Sequence, residues 1–293
     1  MHLTLAAPFF YLLIGFVFGH TKIDIKRLTS NFLSRIVIPF VIVYNILTCN
    51  LDLLVVIFAT AIMMFILLFV SRFFTSDPVR NLCFCYLNIG WLGLPIATAL
   101  FGNGAATLII ACYVGSSLFG NSVGAGLMAG SGNFRSRMKQ VLQAPPVWAL
   151  MLGLICIPFG NALEHGLKPL YEVMKFLMSF LGMAILGIWL AQTPVRKSDF
   201  QAELLPFVLR SLCIFILVSL FVSFSYHNNV TLVNNNYYAL YLLCLLPPAA
   251  NIIVLETHYL RTGRSAAMIA ASTCISIVAI TLYVSSMHVL DHH

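Results

Sequence analysis

The sequence predicts an all-α polytopic membrane protein: ten transmembrane helices, arranged as two inverted five-helix repeats with broken crossover helices 4 and 9. Three observations predict it: an apolar composition, basic residues confined to one side, and paired interruptions in the fourth and ninth apolar runs. Of 293 residues, 60% are hydrophobic and 9% are charged, and the mean hydropathy is +0.96. A soluble domain carries about 25% charged residues. This chain cannot coat a water-soluble fold, which excludes a soluble enzyme, a disordered chain and a disulfide-stapled secreted domain. A spanning helix needs about 20 residues, so the length fits one membrane domain in the bilayer and leaves no soluble domain over.

The apolar runs fall at 4–20, 30–49, 52–74, 80–101, 105–129, 145–160, 169–192, 204–226, 237–260 and 265–288. The longest polar connection, Ser131 to Gln143, separates a first repeat (1–130) from a second (144–293). Numbering the loops alternately by side puts Lys22, Lys26, Arg27, Arg72, Arg80, Arg135, Arg137, Lys139, Arg196, Lys197, Arg261 and Arg264 on one side, and only Lys168 on the other. Basic loops stay inside. The 131–143 linker is therefore cytoplasmic, and both termini face outward from the cytoplasmic membrane. The net charge of +7 is dispersed between apolar runs, not clustered on a face, so no nucleic-acid partner is expected. The eight cysteines form no disulfide or metal framework: Cys83 and Cys85 lack a second pair, and Cys49, Cys112, Cys156, Cys213, Cys244 and Cys274 sit in apolar runs. No metal site and no cofactor are expected beyond a coupling Na⁺ or H⁺. The first apolar stretch lacks a basic leader and an A-x-A site, so no cleaved signal is expected.

Five spans per half is an odd number, so the second half enters the membrane from the opposite side. If the halves are related, they form an inverted repeat, the usual architecture of secondary transporters. Pro8 precedes Gly15 in span 1 as Pro146 precedes Gly153 in span 6. The stretch Asn88 to Pro95 in span 4 corresponds to Pro247-Pro248 through Asn251 in span 9. Ala105-Ala106 and Ala266-Ala267 follow in the next spans.

Proline removes an amide donor and clashes with the preceding turn. Pro95, with Gly90 and Gly93, is expected to break span 4, and Pro247 and Pro248 to break span 9. A break in lipid needs protein or a water-filled cavity to satisfy the freed backbone. Past each break a half-helix begins with unpaired amides and partial positive charge. Two such ends, with Asn88 and Asn251 as amide donors, would make an anion site without a basic side chain. Ordinary kinks are the alternative. Asn88, Gly90, Gly93, Pro95, Pro247, Pro248 and Asn251 are the candidate substrate-binding residues.

Ionisable groups at membrane depth are functional candidates. Glu256 would bind a coupling ion or, alternatively, pair with Arg261 or Arg264. Glu172 and Lys175, three apart, are expected to pair on one helix face. Arg35 and Arg210 are expected to snorkel to the cytoplasmic interface, with Arg210 facing the cavity as the alternative.

These segments resemble the auxin efflux carrier family of membrane permeases, within the bile-acid, arsenite and riboflavin transporter-like superfamily. Asn88-Ile-Gly-Trp-Leu-Gly-Leu-Pro95, followed by Phe101-Gly102, is similar to its first crossover motif. Pro248, Leu255 to Tyr259, Ser272-Thr273 and Ser276 are similar to its second, and Pro39 also fits. The resemblance implies a ten-helix inverted repeat, crossed broken helices at the substrate site, homodimers and elevator-like alternating access. It implies substrate contacts for Asn88, Pro95, Pro248 and Asn251. The long cytoplasmic loop of the plant exporters is absent, so the substrate need not be auxin.

The expected function is that of a permease for small organic anions such as mono- or dicarboxylates. A Na⁺-coupled symporter of the bile-acid type and a non-transporting membrane sensor are the alternatives. Enzymatic chemistry is not expected, because the spans hold one deep acid and no paired acids, H-E-x-x-H helix or nucleophile with a base.

Overall fold

A computed structural model describes residues 2–21, 29, 31–47, 51–128 and 145–290. The middle linker, the loop with Lys22, Lys26 and Arg27, and also Cys49 and the terminal His292-His293 lie outside the described residues.

All regular elements among the described residues are helical. They are α1 (His2–Gly19), α2 (Ile38–Leu47), α3 (Leu51–Ser71), α4 (Pro78–Cys85), α5 (Leu94–Phe119), α6 (Pro145–Cys156), α7 (Gly160–Gln192), α8 (Lys197–His227), α9 (Thr231–Tyr241), α10 (Asn251–Tyr259) and α11 (Arg264–Leu290). Among the described residues, five stretches are long and apolar enough to cross a membrane: Asp52–Ser71, Ile89–Met128, Leu163–Gln192, Lys197–His227 and Arg264–Ser285. Ala7–Gly19 and Arg35–Leu47 are shorter apolar helices.

The second of these stretches is two limbs. Gly102 within α5 has φ 80° and ψ −162°, a conformation that only glycine adopts cheaply. The chain doubles back there, so that a side chain at Gly90 would meet the Tyr113 ring 2.5 Å away. Residues before Gly102 form the first limb of α5, and those after it the second.

Glycines also set the helix packing. Side chains at Gly15 of α1 or Gly187 of α7 would run into the backbone of the opposite helix, at Ala184 and Leu12 respectively. α2 meets α6 in the same way, with Gly153 against Val43 and Ile46. α3 lies on the second limb of α5, where Gly115 faces the Ile57 carbonyl. α8 packs on α11, α4 on α11, and α9 on α5.

One expected boundary moves. α7 runs through Pro169, so Lys168 lies inside a helix and not in a loop. Proline in mid-helix costs one hydrogen bond and bends the axis without having to end the helix. The turn between the sixth and seventh runs falls earlier, at Ile157–Phe159.

Candidate functional site where two interrupted helices cross

α4 starts on Asp77, whose carboxylate accepts from the Val79 amide at 3.2 Å, and it stops at Tyr86, which is extended at φ −98° and ψ 106°. Leu87 and Asn88 follow, then a π-helical turn, Ile89–Gly93, that runs into α5. On the other side, α9 tightens into a 3₁₀ turn, Leu242–Leu245, and Leu246 turns extended at φ −76° and ψ 143°. A residue before proline is pushed out of the helical region, and after the two prolines the chain turns helical again at Ala250 (φ −62°, ψ −24°), just before Asn251 opens α10.

The two extended stretches cross. Leu87 and Pro248 form an antiparallel bridge. The Asn88 amide donates to the Pro247 carbonyl and the Ala249 amide to the Tyr86 carbonyl, both at 2.8 Å. Each interruption thus supplies the partners that the other lacks, which meets the demand on broken backbone inside a bilayer. Gly93 permits the approach: a side chain there would meet Leu246 at 2.8 Å.

Asn88, Gly90, Gly93, Pro247, Pro248 and Asn251 are gathered at or beside this crossing. Pro95 does not make the break. It stands in the first turn of α5, beyond the π-turn. The wider π-turn gives its ring room that a straight α-helix would deny.

The carbonyl ends of the two first halves are held by side chains. Arg210 of α8 donates from Nη1 to the Cys83 carbonyl at 3.1 Å and from Nη2 to the Leu246 carbonyl at 3.0 Å. Its guanidinium lies 5.3 Å from the centre of the Phe207 ring. Ser211 donates to the Cys244 carbonyl at 2.6 Å, and Ser276 of α11 donates to the Leu245 carbonyl. Arg210 is 2% exposed. The expectation that it snorkels is therefore wrong, because two carbonyls in the interior outbid the interface. Arg35 is exposed, as a snorkelling side chain would be.

The amide ends are less fully satisfied. Asn88 is buried, and its Nδ2 has no hydrogen-bond partner among the described residues. The Asn251 Nδ2 donates to the Tyr86 hydroxyl over a long 3.5 Å. The Ile252 and Ile253 amides bond back to the Ala249 and Ala250 carbonyls, each at 3.1 Å.

Glu256 lies at the far end of α10 and is fully buried. Its Oε1 accepts from the Thr262 hydroxyl at 2.5 Å and the Arg264 amide at 2.9 Å, and its Oε2 from the Ser265 amide at 2.8 Å. These bonds cap the N-terminus of α11. The Arg264 Nε is 3.8 Å from the same carboxylate, while its Nη atoms reach both Asp77 oxygens at 3.2 Å. Asp52 plays the corresponding part at the other end, accepting from the Thr231 hydroxyl at 2.7 Å and the Leu232 amide at 3.0 Å.

The expected Glu172–Lys175 pair does not form. Lys175 turns inward and donates to Asn103 Oδ1 at 2.8 Å, tying α7 to the reversal at Gly102. Position decides this: Lys175 is buried and points at Asn103, while Glu172 is exposed.

The sequence did not point to Arg210 as a clamp or to Tyr86, and Ser276 entered only through the resemblance. An arginine inside a long apolar run was the available sign. Among the described residues no group of three or more His, Cys, Asp or Glu is placed to hold a metal.

No family model matches the chain. It is 27% identical over 207 residues to an uncharacterized transporter of Methanocaldococcus jannaschii, a match covering 67% of this chain and 64% of that protein. The chain thus spans less than two thirds of the length of the curated relative it resembles.

Proposed function

We propose that the chain is a secondary transporter of small organic anions, such as mono- or dicarboxylates, working by elevator-type alternating access across the cytoplasmic membrane. The observation that carries this is the crossing itself. Two half-helices begin there, a buried asparagine amide has no partner among the described residues, and the opposing carbonyl ends are neutralised by Arg210. The likeness to a protein named as a transporter supports the same class.

The ten-helix inverted repeat belongs to this proposal and is supported by the packing. Exchanging the two halves turns the α1–α7 contact into the α6–α2 contact. The same exchange turns α3 on the second limb of α5 into α8 on α11, and α4 on α11 into α9 on α5. In this scheme α1, α2, α6 and α7 form a fixed scaffold, in a homodimer, while the crossing moves with the remaining helices. Exporting one negative charge from a negative interior is favourable by about 2.3 kcal/mol per 100 mV; import needs a coupling ion. Glu256 was the expected coupling acid. Its three donors give it a capping role, which leaves the coupling role to another acid.

Proteoliposomes holding the purified chain should take up radiolabelled monocarboxylates such as lactate or dicarboxylates such as succinate. The same acids should raise its unfolding temperature, with and without Na⁺. Asn88→Ala should fold normally, since its side-chain nitrogen has no partner to lose among the described residues, yet lose both effects. Wild-type uptake by Asn88→Ala and Asn251→Ala would overturn the site.

A further inference from the structure

The mechanism so far leaves one buried acid unused. Glu203 lies on α8, two turns before Arg210, and is 6% exposed. Its carboxylate accepts from the Ser272 hydroxyl of α11 at 3.2 Å. Unlike Glu256, it holds no backbone amide in the structure, and it borders a cavity of about 200 Å³. That cavity is lined by Ser71, Thr75, Arg80, Cys83, Glu203 and Arg210, among others. The charged and titratable groups facing Glu203 are Arg80 and Cys83 of α4 and Asp199 and Arg210 of its own helix; α11 brings Ser272 and Met268.

We infer that Glu203 is the site where this chain binds and releases a proton, and that the charge of Glu203 sets how firmly Arg210 grips the two crossing helices. The inference rests on the carrier proposed above and names its coupling ion. A carboxylate in a low-dielectric cavity acts strongly on a guanidinium two turns away. When Glu203 is ionised, it shares the field of Arg210 with the Cys83 and Leu246 carbonyls. When it is neutral, the guanidinium charge acts on those carbonyls alone. The link onward is direct: Leu246 precedes Pro247, whose carbonyl accepts from the Asn88 amide, and Asn88 opens the turn holding Trp91. A proton carried with a monocarboxylate cancels its charge, so the loaded carrier does not work against a negative interior. Ser71, Thr75, Arg80 and Arg210 set polar groups into the otherwise mostly apolar lining of this cavity, beside the acid.

The test needs no transported solute. A full-length chain with Trp148→Phe and Trp189→Phe keeps Trp91 as its only indole. Its fluorescence, followed between about pH 5 and pH 9, should show one transition that is lost in Glu203→Gln and kept in Glu256→Gln. Dicyclohexylcarbodiimide, which reacts with protonated carboxyls in apolar sites, should label Glu203 in the wild-type chain, more slowly as pH rises. A transition that survives Glu203→Gln, or an absence of label on Glu203, overturns the inference. If the transition depends on Glu203 but no carboxylate is taken up, the carrier proposal fails and the proton site stands.

Discussion

Removing Arg210 should loosen the crossing more than any other single change at the site. Arg210→Met keeps the length and apolar stem but deletes both donors. The Cys83 and Leu246 carbonyls would be left buried, and each such loss costs about 1–3 kcal/mol. Against this, the variant no longer buries a guanidinium whose Nε has no partner among the described residues, which recovers part of the cost. The net expectation is a loss of about 3 kcal/mol, roughly a hundredfold in the folding equilibrium. Arg210→Lys keeps the charge but replaces the planar fork with a compact head, so it should lose about half as much. The assay is already present in the chain. Cys83, Cys85, Cys112 and Cys244 are buried, so a thiol-reactive dye reports unfolding in detergent as they become accessible. A melting curve for Arg210→Met that overlays the wild type, with Arg210→Lys indistinguishable from both, would refute the clamp.

Three further changes test the fold around the site. Gly102→Ala should cost about 1–2 kcal/mol although nothing lies within 4 Å of the new methyl, because the left-handed backbone alone sets the cost; unchanged stability would place the reversal elsewhere. In α7, Gly187→Ala should force apart the α1 contact and cost about 1–3 kcal/mol, whereas Gly166→Ala, in open space, should gain about 0.5–1 kcal/mol. The contrast between the two melting temperatures is the readout. Glu256→Gln should lose about 1–3 kcal/mol and release the N-terminus of α11, seen as faster amide exchange at Arg264 and Ser265; unchanged exchange there would sink the capping role.

The apolar runs and the second interruption were legible in the sequence because their causes are local. A double proline cannot continue a helix, whatever surrounds it. The first interruption was legible only to within two turns. Tyr86, Leu87 and Asn88 carry no helix breaker; they leave the helix because Pro247 and Ala249, about 160 residues away, offer the matching carbonyl and amide. Pro95, the visible breaker, is accommodated by the π-turn before it. Arg210 was hidden for a similar reason, since its two acceptors lie 127 and 36 residues from it. Lys175 was misjudged because a partner three residues away looks better in sequence than Asn103, which is 72 residues away yet nearer in the fold.

The clamp bears on the solute as well as on stability. Each helix end carries about half an elementary charge, negative at the carbonyl end and positive at the amide end. At the crossing two carbonyl ends meet, summing to about one negative charge, and Arg210 sets one positive charge against them. On the proposed reading the two amide ends, about one positive charge together, act on the anion at a distance, since the Asn88, Ile252 and Ile253 amides already have carbonyl partners. One carboxylate matches that sum; a second needs another donor. On that reading Arg210 favours an anion from behind, with Nη1 and Nη2 turned to the Cys83 and Leu246 carbonyls. Arg210→Lys, which keeps the charge, should therefore bind lactate with near wild-type affinity, while Arg210→Met, studied cold enough to stay folded, should weaken it about tenfold or more. Equal affinity in folded Arg210→Met would mean that the amide ends hold the anion without help from the charge behind them.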